Sequence, residues 1–482
     1  MLPESLLLLL TSALALAQSR QELPLNIVSS FATQRLPNPA SFSLPAEEQL
    51  FISVALCSDS SSARFFISNS SNSDSVDDPG PGGTNAFEII LNHGQGNWTG
   101  RFANGGILGL QRDASSDFSF DIALFHQSLD LPFFGDSTSN QALIFSRQFQ
   151  GIENVKPTYP NYTLPAANLS QPLAPSNPPN LTLIMAETSV GLANGPHTGC
   201  SLSSRSTAGT IRNETFWARE VDFWRKEFLV TGLNPSTNYT AFVVEDNTKV
   251  SGPIYFATKS SGFTCPLVHS LPYCPGVAYA VPLPPPPAGS VVYDNTNLPD
   301  AVSQPLISYM ANFTTSLTTF ACGRDWYSPL VGCNDCQREY RKWLCAISFT
   351  RCSEPSPSNP NGFTATPAEP SATGISATAR PGPDGAQRVL SALLPQETRD
   401  APRNPFLPPM GSPYMMLQPC LEMCNAVDRA CPPFLGFQCP TNNFNAGASY
   451  GVGYIDSADG DKDQGLTGAA QDRWGNVWCH MI

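Results

Sequence analysis

Charge is what this sequence has least of. Only 13% of its 482 residues are Asp, Glu, Lys or Arg, against about 25% in an average globular protein, so its surface takes its polarity from Ser, Thr, Asn and attached sugar. The basic sign is the scarcer: 26 Lys and Arg against 39 Asp and Glu leave a net charge of −13. That balance excludes nucleic acid and acidic lipid as electrostatic partners and makes cations the natural company. Long apolar runs are also missing beyond the first residues, where no window reaches the roughly 18–20 apolar residues of a spanning helix. Val277 to Val292 is broken by Pro282 and by Pro284 to Pro287, and Phe118 to Phe134 by Asp121, Asp130 and Pro132. The last residues, Trp478 to Ile482, lack the tail of a lipid-anchor signal. Histidine is sparse. His93, His126, His197, His269 and His480 stand at no metal-ligand or triad spacing. Gly447-Ala448-Ser449-Tyr450-Gly451 has the letters of a nucleophile elbow but lies in a Gly/Asn-rich loop, not between a buried strand and a helix. No catalytic residue, no cofactor and no enzyme activity is expected.

What is present points to the secretory pathway. Leu6 to Leu10 and Ala13 to Ala17 form a short apolar core, and Ala15-Leu16-Ala17 reads as a cleavage site before Gln18, so residues 1–17 are expected to be a signal peptide. The 14 cysteines are then disulfide candidates rather than metal ligands. Asn69, Asn97, Asn161, Asn168, Asn180, Asn213, Asn238 and Asn312 each head an N-glycosylation sequon, and all precede Cys322. The mature chain is expected to be extracytoplasmic and to meet the membrane through a partner rather than a spanning helix.

Residues 18–155 read as a β-sandwich. Leu50, Ile52, Val54 and Leu56 alternate with Phe51, Ser53, Ala55 and Cys57, and Phe118, Phe120, Ile122 and Leu124 alternate with Ser119, Asp121 and Ala123. A Pro/Asn/Ser-rich linker follows at 156–179. Residues 180–261 read as a second sandwich, in which Gly232 to Val244 resembles the turn and strand of fibronectin type III domains, with Tyr239 bonding back across a corner. Cys57 and Cys200 are the two cysteines outside the C-terminal cluster, and a bond stapling the two sandwiches together is proposed for them.

Residues 262–482 form the cysteine region, with Cys265, Cys274, Cys322, Cys333, Cys336, Cys345, Cys352, Cys420, Cys424, Cys431, Cys439 and Cys479 as its disulfide framework. Cys336, Tyr340, Trp343 and Ile347 fall in one helical stripe, with Arg338, Arg341 and Lys342 on the opposite face as a candidate partner-binding surface. Cys420, Cys424, Val427 and Cys431 make a second stripe. Cys345 lies off the first and needs a tie from its other side. An insertion at 353–405, dense in Pro, Ser, Ala, Thr and Gly, is expected to be disordered. Asp459, Asp461 and Asp463 offer a weak Ca²⁺ contact, although Gln464 and Ala470 stand where an EF-hand needs Gly and Glu. The expected fold is multidomain: N-terminal all-β sandwiches, then a mostly α-helical, disulfide-rich domain.

Three stretches carry a resemblance. Pro272-Tyr273-Cys274-Pro275-Gly276-Val277-Ala278-Tyr279, then Ser328 to Cys336 running into Tyr340-Arg341-Lys342-Trp343-Leu344-Cys345 and Arg351-Cys352, then Pro419-Cys420-Leu421-Glu422-Met423-Cys424 through Cys431-Pro432 to Cys439-Pro440, resemble the fungal stretch-activated calcium channel component, the mating-induced-death protein family. The resemblance covers nearly the whole chain. It implies an accessory subunit of a plasma-membrane Ca²⁺ influx channel, partnered with a large four-repeat, voltage-gated-like pore subunit, at the extracellular face of the plasma membrane and in the endoplasmic reticulum lumen. It also implies a frizzled-like cysteine-rich domain placed over the pore loops. Two other readings stand beside it: a self-sufficient stretch-activated channel and a secreted frizzled-like receptor.

Overall fold

The computed structural model describes residues 20–36, 40–57, 63–69, 79–81, 86–113, 117–125, 132–149, 164–166, 175–206, 209–220, 223–246, 249–320, 322, 327–355, 378–381, 387–389, 393–441, 449–451 and 479–482. The signal segment, Asn161, Asn168 and the acidic run Asp459, Asp461 and Asp463 lie outside the described residues. The chain divides into two units: residues 1–129, 193–205 and 244–250, and residues 130–192, 206–243 and 251–482.

The first unit is built on two sheets. One orders Gln21–Glu22, Ser41–Leu44, Gly106–Gln111, Arg64–Ser68 and Ala86–Ile89; the other orders Val28–Ala32, Ser119–Phe125, Glu47–Leu56 and Gln95–Phe102. The period-two stretches seen in the sequence are neighbours here, with Ile52 opposite Leu124 on one side and Trp98 on the other. Their inward residues, Ile52, Val54, Phe120 and Ile122, bury with Phe42, Phe65, Ile67 and Phe102 in one core. The short helix α1 (Gly199–Ser204) belongs to this unit. The Cys200 N–H donates to the Asp121 carboxylate (3.2 Å), Arg205 donates to Gln95, and Cys57 is bonded to Cys200. Both halves of that disulfide therefore fall within the first unit. The expected staple between two sandwiches is corrected: 193–205 departs from the sequence order because its helix is anchored to Asp121 and Gln95.

The second unit opens with another pair of sheets, one of Phe133–Ser137, Gln141–Phe145, Phe223–Thr231 and Thr210–Glu220, the other of Leu181–Glu187, Asn238–Glu245 and Lys249–Ala257. Phe133–Phe145 was expected in the first sandwich, but Gln141–Phe145 pairs along its length with Phe223–Thr231, and Ala142 and Ile144 bury with Phe228, Val230, Met185 and Val243. Tyr239 is 1% exposed, and its hydroxyl accepts the Asn234 N–H (2.8 Å), closing the corner where Gly232 takes a left-handed φ of +76°.

The cysteine region is not mostly helical, which corrects the expected fold class. Its helices, α2 (Asp300–Thr318), α3 (Cys333–Ser348) and α4 (Leu421–Ala430), run 19, 16 and 10 residues. They sit among small sheets, Leu267–Val268 with Tyr279–Ala280, Arg351–Ser353 with Tyr414–Leu417 and Leu393–Gln396, and Thr378–Pro381 with Gln387–Val389, and long irregular connections. Disulfides hold the Pro-rich segments between the helices without requiring backbone ladders. Part of the insertion is also ordered: Leu393–Gln396 pairs with Tyr414–Leu417, Leu393 is buried, and the Asn404 amide donates to the Ser348 carbonyl (3.0 Å). Its apolar Leu393 supplies the burial that the flanking composition lacks.

Candidate partner-binding module

Helix α3 begins at Gly332, whose N–H donates to the Asp335 carboxylate (2.9 Å), an acid suited to a helix N-terminus. Its stripe meets the rest of the module as an aromatic stack. Tyr340 lies parallel to Phe313 of α2, with ring centroids 3.6 Å apart. Trp343 stands edge-on to Phe437 at 5.1 Å and donates its indole N–H to the Tyr450 hydroxyl (2.9 Å). Helix α2 was missed in the sequence, although Val302, Leu306, Met310 and Leu317 bury at helical spacing; Pro305 within the run disguises it.

Six disulfides bind the module: Cys265–Cys352, Cys274–Cys345, Cys322–Cys333, Cys336–Cys431, Cys420–Cys479 and Cys424–Cys439. Cys336–Cys431 joins α3 to the end of α4, and Cys274 holds Cys345 from the side away from the stripe. Among the described residues, the groups that bring candidate metal ligands together are Cys57, Asp121 and Cys200, and Cys420, Glu422 and Cys479. In each group the two cysteines are bonded to one another, which removes the thiolates a metal would require.

Arg338, Arg341 and Lys342 do not form one basic face. Arg338 pairs with Asp335 (3.0 Å) and Glu339 (3.1 Å), and Lys342 approaches Glu339 (3.6 Å), so their charge is locally offset. Arg341 is 6% exposed and points inward, donating to the carbonyls of Tyr273 (3.0 Å) and Ala166 (3.1 Å); burial pulls its guanidinium down to about 10. The helix turns by 3.6 residues, and one of three positions spaced over five residues falls toward the core edge. Of the sequon asparagines, Asn69, Asn97, Asn180, Asn213, Asn238 and Asn312 are exposed. Asn97 is also engaged, accepting from Ser53 (2.9 Å) and donating to the Asn194 carbonyl (3.3 Å).

The module is continuous with the second pair of sheets. Leu143, Phe145 and Leu229 of the sheets bury in the same cluster as Cys265, Leu267, Ala280 and Cys352. Asp136, fully buried, accepts from Arg351 Nε (3.0 Å) and from the N–H groups of Ala280 (3.1 Å) and Ser137 (2.9 Å), with Lys259 Nζ at 3.7 Å. Burial alone would raise this carboxyl, but Arg351, Lys259 and the hydrogen bonds from Arg351 and Ala280 outweigh it and hold it below the usual carboxylate range. Nearby, His269 Nδ1 lies 2.5 Å from Glu227 Oε1, both side chains 2% exposed, and the Ser270 hydroxyl donates to the same oxygen (3.1 Å). Burial would lower His269, but the Glu227 charge and hydrogen bond, helped by Asp294, raise it. These buried pairs carry no sequence signal, because their partners lie 215 and about 40 residues apart.

The site and fold define a disulfide-tied, sheet-rich protein in which, among the described residues, no helix is long and apolar enough to cross a membrane. Residues 49–470 match the family described as Mid1, stretch-activated Ca²⁺-permeable channel component. The chain is 34% identical over 381 residues to a Cryptococcus neoformans protein named stretch-activated cation channel MID1, covering 72% of this chain and 59% of the relative. It is 30% identical to the Schizosaccharomyces pombe stretch-activated cation channel yam8 over 48% of this chain and 41% of that one. With the Saccharomyces cerevisiae stretch-activated cation channel MID1 it shares 28% identity over 45% of this chain and 35% of that one. The chain belongs to the Mid1 family of channel components. The matched part spans 59% or less of each of these relatives' own length.

Proposed function

We propose that this chain is an extracytoplasmic accessory subunit of a plasma-membrane Ca²⁺ influx channel, acting at the extracellular face of the plasma membrane after passage through the endoplasmic reticulum. Its partner on this reading is a large pore-forming subunit of four voltage-gated-like repeats. The observation that carries the reading is that a member of a channel-component family builds its C-terminal unit from disulfides and small sheets, with no spanning helix among the described residues. Such a unit reaches a membrane through another protein. Glycosylation at the exposed sequons fits the same compartment.

Mild-detergent affinity purification of the tagged chain, with mass spectrometry of what co-purifies, tests this. Recovery of a large channel protein supports it. Purification of the chain alone from membranes, with unitary currents when it is reconstituted in bilayers, refutes it. That second outcome corresponds to a self-sufficient stretch-activated channel, the reading favoured by the names of the relatives.

A further inference from the structure

One contact in the second unit has no part in holding the sheets or the disulfide framework. Leu164, Pro165 and Ala166 belong to the expected linker, yet they lie against α2 and α3. Leu164 packs into the apolar cluster of Leu317, Cys333, Cys336 and Val427. The Gln337 amide, itself 3% exposed, donates to the Pro165 carbonyl (2.8 Å) and to the Thr314 hydroxyl (2.8 Å). One helical turn further, Arg341 donates to the Ala166 carbonyl (3.1 Å) while its other terminal nitrogen donates to Tyr273 (3.0 Å).

Every polar contact here reads main chain rather than side chain. Two buried donors on α3 meet the carbonyls of consecutive residues, which requires a short extended segment, and the cluster beside them requires an apolar side chain just before it. Proline between the two is well suited, because its fixed φ and missing N–H pre-set an extended backbone at low entropic cost. Proline-containing segments are recognised elsewhere by the same logic of aromatic-lined grooves and carbonyl-directed donors, and Phe313, Tyr340 and Trp343 border this cluster. Pro165 and Ala166 are themselves exposed, so the occupant lies on the groove rather than within the core.

We propose that the α2–α3 groove is a binding site for extended Leu-Pro-x peptide segments, with Leu164-Pro165-Ala166 as its resident occupant and a matching segment of a partner protein as the ligand that replaces it. The proposal rests on contacts within this unit and stands apart from the channel-subunit reading. The resident segment competes at high effective concentration because it is tethered, so a free peptide binds well only when the segment is weakened.

The test uses the full chain and a fluorescein-labelled, unglycosylated peptide of residues 161–168. In a variant carrying Leu164→Ser and Pro165→Gly, both at the outward edge of the contact, the peptide is expected to bind at least about 10-fold more tightly than to the wild-type chain, since tethering is worth millimolar effective concentration. Adding Gln337→Ala is expected to reverse that gain. Equal affinity for the two chains, or no binding to the weakened variant, overturns the proposal. A second measurement needs no substitution: millimolar peptide should speed chymotryptic cleavage of the wild-type chain after Tyr159 and Tyr162, whereas the same peptide with Ser in place of Leu should not. No acceleration, or equal acceleration by both peptides, also overturns it.

Discussion

Asp136→Asn is the most informative single substitution, because Asp136 joins the strand Phe133–Ser137 to the cysteine region. The change keeps the side chain's size and one acceptor oxygen while removing the charge that faces Arg351 and Lys259. Deleting one member of a buried ion pair costs about 3–5 kcal/mol. Here the two cations keep 22% and 19% of their side chains exposed, so water can recover part of the loss and the lower end, about 3 kcal/mol, applies. At about 2–4 °C per kcal/mol, Tm should fall by about 6–12 °C, followed by circular dichroism under non-reducing conditions. The acid limb should change as well. A carboxyl held below its unfolded value contributes stability that is present above about pH 4 and lost as pH falls through the lowered folded value; Asp136→Asn should flatten that limb. Arg351→Met combined with Asp136→Asn should cost at least about 1 kcal/mol less than the sum of the two single changes. Strict additivity, or an unchanged Tm in Asp136→Asn, would refute the view that this network fastens the cysteine region to the sheets.

His269 titrates in the opposite sense. Its raised folded value means that the Glu227 pair contributes fully below about pH 6.5 and is lost as pH rises through the folded value, so wild-type Tm should fall between pH 6 and 8 more than that of His269→Gln, measured by thermal melts across that range. Tyr239→Phe leaves the Asn234 N–H without its acceptor and should cost about 1 kcal/mol in urea unfolding. Replacing Cys336 and Cys431 together by Ser, a separation of 95 residues, should lower Tm more than replacing Cys424 and Cys439, separated by 15. The chain-entropy difference between such loops is about 1–2 kcal/mol, and paired melts of the two double variants check it.

Much of the chain's identity was legible without a structure, because cysteine spacing and its neighbouring residues are local quantities. The stretches around Cys274, Cys333 to Cys352 and Cys420 to Cys439 identified the family, and period-two alternation located strands such as Glu47–Leu56 and Ser119–Phe125. Helical stripes located α3 and α4 for the same reason: periodicity depends only on near neighbours. What depends on distant neighbours was not legible. Whether Phe133–Phe145 joins the first or the second pair of sheets is settled by pairing with Phe223–Thr231, about 85 residues away by the separation of those segments. The helical content of the cysteine region was overestimated because disulfides and small sheets, not periodicity, shape its remaining residues. Arg341 looked like a surface charge until Tyr273 and Ala166 supplied carbonyls to receive it. Asp136 gave no sign of its role, since a buried acid is distinguished from an exposed one only by the Arg351 and Lys259 that fold against it. Local pattern determined the elements and the family; the pairing of charges, strands and sulfurs across long separations was decided by the tertiary structure, where burial makes each unpaired group costly.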